Sequence, residues 1–242
     1  MTAQQVDPRV ADLVRSGRLR IGLFPSFFYS KSPATGELQG VGIEIARALA
    51  ARIGVELVLR EYPSPPAVVQ ALAAGDIDVA SLGIDPARAA EVDFSPPYMQ
   101  AEFSFLVPSG SSVGSIAAAD KRGTRIAIVR DHAMDSALRG KLPQAERIYA
   151  DTPDAAFDLL RSRQADVLAG IRPGLLKYAA ALPGSRVLED RYGANILALA
   201  VPKGQAGRLA YVGEFIEWAR STGVLQRAIA GAGLGGIDVI TN

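Results

Sequence analysis

Cysteine is absent from the 242-residue chain, and histidine occurs once, at His132. A chain without cysteine has no disulfides, no thiolate metal ligands and no cysteine nucleophile, and a single histidine excludes a metal site built from several histidines. Aromatic residues make up only 7% of the chain, the formal net charge is +1, and no basic tract stands out. Nucleic-acid binding needs a basic surface with stacking side chains. The composition therefore favours a small-molecule partner.

Long apolar runs are also missing, so the sequence predicts no membrane-spanning segment. The first twenty residues lack the basic start and the apolar stretch of a secretory signal. We expect a soluble chain, from which a signal was removed or which never had one; both alternatives stay open. With 49% apolar residues, the chain is long enough for one large domain or two lobes.

Strands and helices alternate along the first half of the sequence. Ile45, Leu49 and Ile53 recur at helical spacing and are followed by a stop at Gly54. The predicted strands are Arg20–Phe24, Val55–Arg60 and Ile77–Leu82. One predicted helix begins at Gly42, and a second spans Pro66–Ala74. Such alternation predicts parallel strand pairing and an α/β fold.

The second half repeats this order. It predicts strands at Thr124–Val129, Glu146–Tyr149 and Asp166–Ala169, a helix from about His132, and a helix at Pro153 with Thr152 as its N-cap. Leu72 stands six residues before Asp78, as Leu160 does before Asp166, and each following strand ends in a turn with an arginine and a proline. The repeat indicates two similar lobes.

Two apolar segments that end in Val-Pro, Phe103–Pro108 and Ile196–Pro202, are the predicted connections between the lobes. Lobe one would then comprise residues 1–107 and 202–242, and lobe two residues 108–201. The helical spacing of Leu209, Val212 and Ile216 predicts a last helix that packs on lobe one.

Four segments, in this order and spacing, resemble one known family. They are GELQGVGIEIARALAARIG at residues 36–54, ALAAGDIDVA at 71–80, IDPARAAEVDFSPPY at 84–98 and QADVLAG at 164–170. The chain resembles the bacterial extracellular solute-binding proteins of family 3, the receptors for polar amino acids that serve ABC transporters. The stretch from Arg88 to Tyr98 carries the most specific part of the resemblance.

The resemblance implies a type 2 periplasmic binding fold, which has two Rossmann-like lobes joined by two hinge strands and closes on a ligand in the cleft between them. It also implies that Arg88 pairs with a ligand carboxylate, that residues Ser81, Gly83 and Asp85 surround that carboxylate, and that an aromatic side chain after the first strand covers the ligand. Phe27 and Phe28 are the candidates for that cover.

The chemistry of arginine fits the role of Arg88, because a planar guanidinium can donate two parallel hydrogen bonds to a carboxylate. The alternative is an exposed helical arginine paired with Asp85 or Glu91, each three residues away.

Several positions depart from the family pattern. Asp85 and Gly83 stand where the family has Ser or Thr, and Asp85 would repel an anion unless it turned toward Arg88 or the helix N-terminus. Asp131 and His132 stand where the family has Gly followed by Thr or Ser; Asp131 can cap the helix, and His132 can donate to a ligand or simply lie at the surface.

The largest departure lies after the Asp166 strand, where Ile171 replaces the acid that holds the ligand ammonium in the family, and Arg172 follows it. Gly42 removes a second acid. An ammonium without a counter-charge is costly to bury. We therefore expect a small carboxylate ligand without an α-ammonium, held by Arg88 with help from Arg172 or His132.

The predicted function is a periplasmic, monomeric receptor that hands a small carboxylate to the membrane permease of an ABC transporter, without a cofactor, a metal or catalysis. Three alternatives stay open: an amino-acid-binding protein, an enzyme like cyclohexadienyl or arogenate dehydratase on the same fold, and a cytosolic ligand sensor.

Overall fold

The computed structural model describes residues 6–32, 34–130 and 132–241. Its α-helices, in chain order, are α1 Ala11–Ser16, α2 Val41–Ile53, α3 Pro65–Ala73, α4 Pro86–Glu91, α5 Ala133–Leu138, α6 Pro153–Arg161, α7 Arg172–Ala181, α8 Ala206–Ser221 and α9 Val224–Ala232. Its β-strands are β1 Arg18–Leu23, β2 Ser30–Lys31, β3 Leu38–Gln39, β4 Glu56–Glu61, β5 Val79–Gly83, β6 Val92–Phe94, β7 Met99–Val107, β8 Arg125–Val129, β9 Glu146–Ala150, β10 Val167–Ile171, β11 Arg186–Val187, β12 Gly193–Pro202 and β13 Ile237–Val239.

The described chain divides into two compact units. Unit one takes in residues 6–99, 196–233 and 239–241, and unit two takes in Gln100–Asn195 and Leu234–Asp238. The division falls inside β7 and β12, the strands formed by the two apolar segments that end in Val-Pro, although β7 itself ends at Val107. The lobe boundaries expected from the sequence, at residues 107 and 202, stay a prediction.

Unit one contains a mixed sheet in the order β4-β1-β5-β12. β1 runs parallel to β4 and β5, whereas β12 is antiparallel to β5, and β6 pairs with β12. Ile45 and Leu49 of α2 are buried, as their spacing predicted. The last long helix, α8, belongs to this unit and buries Val212 and Ile216.

Unit two contains the same arrangement, in the order β9-β8-β10-β7. β8 is parallel to β9 and β10, and β7 is antiparallel to β10. Thr152 caps α6 as predicted, because its hydroxyl accepts a hydrogen bond from the backbone N–H of Ala155 at 3.1 Å. The α/β class expected from the sequence is therefore confirmed.

The repeat seen in the sequence corresponds to one arginine-aspartate pair in each unit. The Asp78 carboxylate accepts from the backbone N–H of Arg20 at 2.8 Å and from its guanidinium at 2.9 and 2.7 Å. Asp166 accepts from Arg125 in the same way, at 2.9, 3.1 and 2.8 Å. The pair in unit one ties β1 to the start of β5, and the pair in unit two ties β8 to the start of β10.

This geometry predicts an acid-dependent stability for unit two. The hydrogen bond from the Arg125 guanidinium holds the pKa of Asp166 below its ordinary value. A carboxyl group with a lowered pKa stabilises the folded state above its unfolded pKa, near 4, and that stability is lost as the pH falls through the folded value. We expect the difference in melting temperature between the wild type and Asp166→Asn to be constant from pH 7 to about 5 and to shrink below about pH 4. A difference that does not change down to pH 3 contradicts this.

Three helices, α1, α7 and α9, were not predicted from the sequence. The strand β7 was predicted to begin at Phe103, four residues after its actual start at Met99. α7 was hidden because the expected turn at Arg172 and Pro173 is the first turn of a helix, where proline is tolerated. Pro86 likewise opens α4. Among the described residues, no helix is long and apolar enough to cross a membrane.

Candidate functional site

The candidate site in unit one lies where β1 and β5 end. β1 and β5 are parallel neighbours in the order β4-β1-β5, so their carboxyl ends lie side by side at the same edge of the sheet. In open α/β sheets, ligands bind beside the carboxyl ends of such strands. The residues placed there are the loop after β1, including Phe28, and the segment from Gly83 to Arg88.

Arg88 lies in α4, and its side chain turns back toward the end of β5. One guanidinium nitrogen donates a hydrogen bond to the carbonyl oxygen of Gly83 at 2.9 Å. Within the described chain, no carboxylate forms an ion pair with Arg88, so the alternative pairing with Asp85 or Glu91 is not formed. The side chain keeps its remaining N–H donors for another acceptor, since a guanidinium carries five.

Asp85 is the N-cap of α4. Its carboxylate accepts from the backbone N–H groups of Ala87 and Arg88, at 2.9 and 3.3 Å. The backbone N–H groups in the first turn of a helix have no helical partner, so the cap satisfies two of them. The charge of Asp85 is thus directed at the helix N-terminus, which is one of the two arrangements that the sequence required for an anion site.

Ser81 is fixed by a buried tyrosine. Its hydroxyl and that of Tyr98 lie 2.6 Å apart, and Tyr98 is fully buried. Burial raises the pKa of Tyr98 above its ordinary value, so this hydroxyl stays protonated and can donate to Ser81.

The loop after β1 is held against the start of α2 by two glycines. The N–H of Gly42 donates to the carbonyl of Phe28 at 3.0 Å. A β-carbon on Gly40, whose φ is +123°, would lie only 2.7 Å from that carbonyl oxygen. Gly40 is therefore required by the backbone, whereas Gly42 has no positive φ and would place a β-carbon at ordinary contact distance, 3.5 Å.

A cavity of about 30 Å³, here called the unit-one pocket, lies beneath this loop. Four hydroxyl-bearing residues line it, Ser26, Tyr29, Ser81 and Tyr98, together with Phe28 and Gly42. Apolar side chains of β1, β5, β12 and α2 form most of its wall: Ile21, Leu23, Ile45, Leu49, Val79 and Leu199. Of the aromatic residues proposed to cover a ligand, Phe28 lines this pocket and Phe27 does not.

Tyr29 anchors the other side of the loop. Its hydroxyl donates to the Glu61 carboxylate at 3.3 Å, and Lys31 pairs with the same carboxylate at 2.8 Å. The hydrogen bond from Lys31 lowers the pKa of Glu61, and burial raises that of Tyr29. The carboxylate that Tyr29 contacts is therefore ionised and already paired.

In unit two, the corresponding strand ends are those of β8 and β10. Asp131 lies outside the described residues. His132 directly precedes α5, where its carbonyl accepts from the N–H of Asp135 at 2.9 Å, and its side chain is exposed. Ile171 ends β10 and packs against the core of unit two. Ile171 is the last residue of β10 and His132 lies at the start of α5, and the contact of either residue with a ligand stays a prediction.

Arg172 has a different environment from the one the sequence suggested. Its guanidinium pairs with Glu102 at 2.7 Å and donates to the carbonyls of Leu188 and Glu189, both at 2.9 Å. The side chain is 11% exposed. Because these partners occupy it inside unit two, the geometry gives no support to Arg172 as a ligand group. The partner carboxylate was not predicted, since Glu102 is 70 residues away in sequence.

The described residues contain no group of three histidine or acidic side chains close enough to hold a metal. The sequence did not predict the unit-one pocket or the bond between Ser81 and Tyr98. The pocket depends on side chains from several elements, and the bond joins residues that are 17 apart in sequence, so no local pattern signals either contact.

Comparison with known proteins agrees with this geometry. The model of the bacterial extracellular solute-binding proteins, family 3, matches residues 19–231. The ABC transporter glutamine-binding protein GlnH of Bacillus subtilis (strain 168) is 31% identical over 208 residues, which cover 81% of this chain and 73% of that protein. A glutamine-binding protein of Geobacillus stearothermophilus is 29% identical over 185 residues, covering 74% of this chain and 70% of the relative.

A solved structure, that of the ancestral amino acid-binding protein AncCDT-1, described as a precursor of cyclohexadienyl dehydratase, superimposes with a TM-score of 0.74. It is 25% identical in sequence, and the match covers 92% of this chain and 98% of that one. This likeness confirms the two-lobed, type 2 periplasmic binding fold expected from the sequence.

Proposed function

The chain belongs to the bacterial extracellular solute-binding proteins of family 3, and from this premise we propose that it is the receptor of an ABC transporter for an amino acid, whose α-carboxylate Arg88 binds. The observation that carries the proposal is the state of the Arg88 guanidinium: within the described chain it donates to one backbone carbonyl and pairs with no carboxylate.

An arginine in this state is oriented by one hydrogen bond and has further N–H donors that can bind an anion. It is oriented by the carbonyl of Gly83, so less side-chain entropy is lost on binding, and its charge is not cancelled by an ion pair. Asp85, the acid nearest in sequence, is engaged by two backbone N–H groups. Both charges lie at the end of β5, where α/β sheets bind ligands.

The names of the relatives change the expected ligand. The sequence suggested a carboxylate without an α-ammonium because Ile171 and Gly42 replace acids of the family pattern. Two relatives are named as glutamine-binding and the ancestral protein as amino acid-binding. We therefore propose an amino acid, with a backbone carbonyl or hydroxyl as the acceptor for its ammonium in place of the missing acids.

Receptors of this kind act by a shift in conformational population, because a ligand stabilises the conformation that binds it best. We propose that closure of the two lobes on the amino acid produces the form that the membrane permease recognises. The proposed location is outside the cytoplasmic membrane, in keeping with the family, and the proposed state is a monomer. Light scattering at about the chain mass of 25.5 kDa tests the monomer.

A thermal-shift screen with the twenty L-amino acids and the matching deaminated acids tests the proposed function. A ligand present at one hundred times its Kd stabilises the folded state by about 2.7 kcal/mol, which is readily seen as a rise in Tm. We expect at least one L-amino acid to raise the Tm and its deaminated analogue to do so less. Stabilisation by deaminated acids alone contradicts the proposal.

An enzyme remains the second candidate, because the ancestral binding protein AncCDT-1 is described as a precursor of a dehydratase. Incubation with prephenate or arogenate tests it through the absorbance of an aromatic product. We expect no product. Turnover at a rate above that of the uncatalysed reaction would overturn the receptor proposal in favour of an enzyme.

A further inference from the structure

The unit-one pocket lies next to the proposed carboxylate site. Ser81 lines the pocket, and Gly83, two residues further along β5, holds Arg88 through its carbonyl. Two residues of a strand span about 7 Å. A carboxylate on Arg88 and a group in the pocket are therefore separated by about the length of one amino-acid side chain.

The walls of this pocket carry no charged side chain among the residues that line it. Its hydroxyls already have partners: Ser81 with Tyr98, Tyr29 with Glu61, and Ser26 with the N–H of Phe28. The Glu61 carboxylate itself is paired with Lys31. A charge that enters an apolar pocket without a counter-charge is strongly disfavoured. The pocket therefore accepts an uncharged group.

Gly42 is a second, independent indication that a ligand uses this space. Alanine is a better helix former than glycine, and neither the backbone conformation nor the packing requires glycine here. A β-carbon at position 42 would contact the Phe28 carbonyl at 3.5 Å and the Phe28 Cβ at 3.9 Å, both ordinary distances. Gly42 is one of the residues that line the pocket, so we infer that an added β-carbon would take up part of its space.

On the basis of the proposed function, we propose that the amino-acid ligand has an uncharged side chain and that the end of this side chain occupies the space beside Gly42. Gly42 is then a residue that determines specificity. The cavity, about 30 Å³, exceeds the 10 to 15 Å³ that one water needs. It has room for a small polar or apolar end group such as an amide, a hydroxyl or a methyl.

Calorimetric titration of the wild type with single L-amino acids tests the charge. Glutamine, threonine and valine represent uncharged side chains, and lysine, arginine and glutamate represent charged ones. We expect the tightest uncharged ligand to bind at least 30-fold more tightly than any of the charged three. A charged amino acid that binds as tightly as the best uncharged one overturns the inference.

The Gly42→Ala variant tests the space. We expect it to weaken the best ligand at least 10-fold while its Tm without ligand stays at or above that of the wild type. Gly231→Ala is the matched control, because Gly231 is also helical and a β-carbon there meets nothing within 4 Å. The control should bind as the wild type does; unchanged affinity in Gly42→Ala contradicts the role of Gly42.

The two proposals fail in different ways. If charged amino acids bind tightly and Arg88→Met still abolishes their binding, the receptor function stands and the inference on the side chain is wrong. If no amino acid binds the wild type, both are wrong.

Discussion

Replacing Arg88 by methionine should weaken amino-acid binding by at least 30-fold, the largest effect on function that we expect from a single substitution. Methionine keeps most of the length of the side chain but removes the guanidinium. Loss of one partner from a hydrogen-bonded charge pair in a binding site costs about 2 to 5 kcal/mol, and each 1.4 kcal/mol is a tenfold change in Kd. Calorimetric titration with the best L-amino acid measures the loss.

Arg60→Met is the matched control for this experiment. Arg60 also lies in unit one and donates one guanidinium hydrogen bond to a backbone carbonyl, that of Asp76, at 3.1 Å. Its loss should leave the Kd unchanged. If both variants bind like the wild type, or if both lose affinity equally, Arg88 is not the carboxylate receptor.

Replacing Asp78 by alanine should lower the free energy of unfolding by about 3 to 5 kcal/mol, the range measured when one partner of a buried ion pair is removed. Asp78 is 2% exposed and contacts two arginines, Arg20 and the buried Arg208. Arg208 also pairs with Asp12 of α1. Without Asp78, the charge of Arg208 would remain buried with one carboxylate fewer, and β1 would lose its tie to β5.

Asp166→Ala removes the equivalent carboxylate from unit two and should cost about 1 kcal/mol, because its side chain is 41% exposed and water replaces part of the lost bonding. Asp76→Ala, an exposed change beside Asp78, should stay within about 0.5 kcal/mol of the wild type. Urea unfolding followed by far-UV circular dichroism measures all three variants. Equal losses of unfolding free energy in Asp78→Ala and Asp166→Ala would contradict the distinction between a buried ion pair at Asp78 and a partly exposed one at Asp166.

The fluorescence of Trp218, the single tryptophan, adds a local reading of the same experiment. It lies in α8 of unit one and stacks under the Arg52 guanidinium at 4.7 Å. We expect the urea concentration at the midpoint of the Trp218 fluorescence change to fall in Asp78→Ala and to be unchanged in Asp166→Ala.

Much of the fold could be predicted from the sequence because its signals are local. Alternating apolar runs and helical spacing located the parallel strands of both units within a few residues, and Thr152 followed by Pro153 is a sufficient signal for a helix start. The repeat of Asp78 and Asp166 also has a local cause, since each aspartate bonds the same atoms of an arginine.

The site could be predicted only in part, because its chemistry depends on contacts between distant residues. Arg88 stands at a turn that the sequence marks clearly. Contact with the helix N-terminus was one of the two arrangements expected for Asp85, three residues earlier, and Asp85 caps that helix. Whether Arg172 faces a ligand or the core depends on Glu102, which no spacing connects to it. The pocket beside Gly42 likewise forms only where α2 packs on β1 and β5.

The central claim, that Arg88 holds the α-carboxylate of an amino acid, is tested most directly by a crystal structure of the protein with the L-amino acid that gives the largest rise in Tm. We predict both carboxylate oxygens within about 3 Å of the Arg88 guanidinium nitrogens, the geometry of a bidentate charge-assisted pair. A bound amino acid whose carboxylate pairs with another cation, while Arg88 bonds only to Gly83, would contradict this role of Arg88.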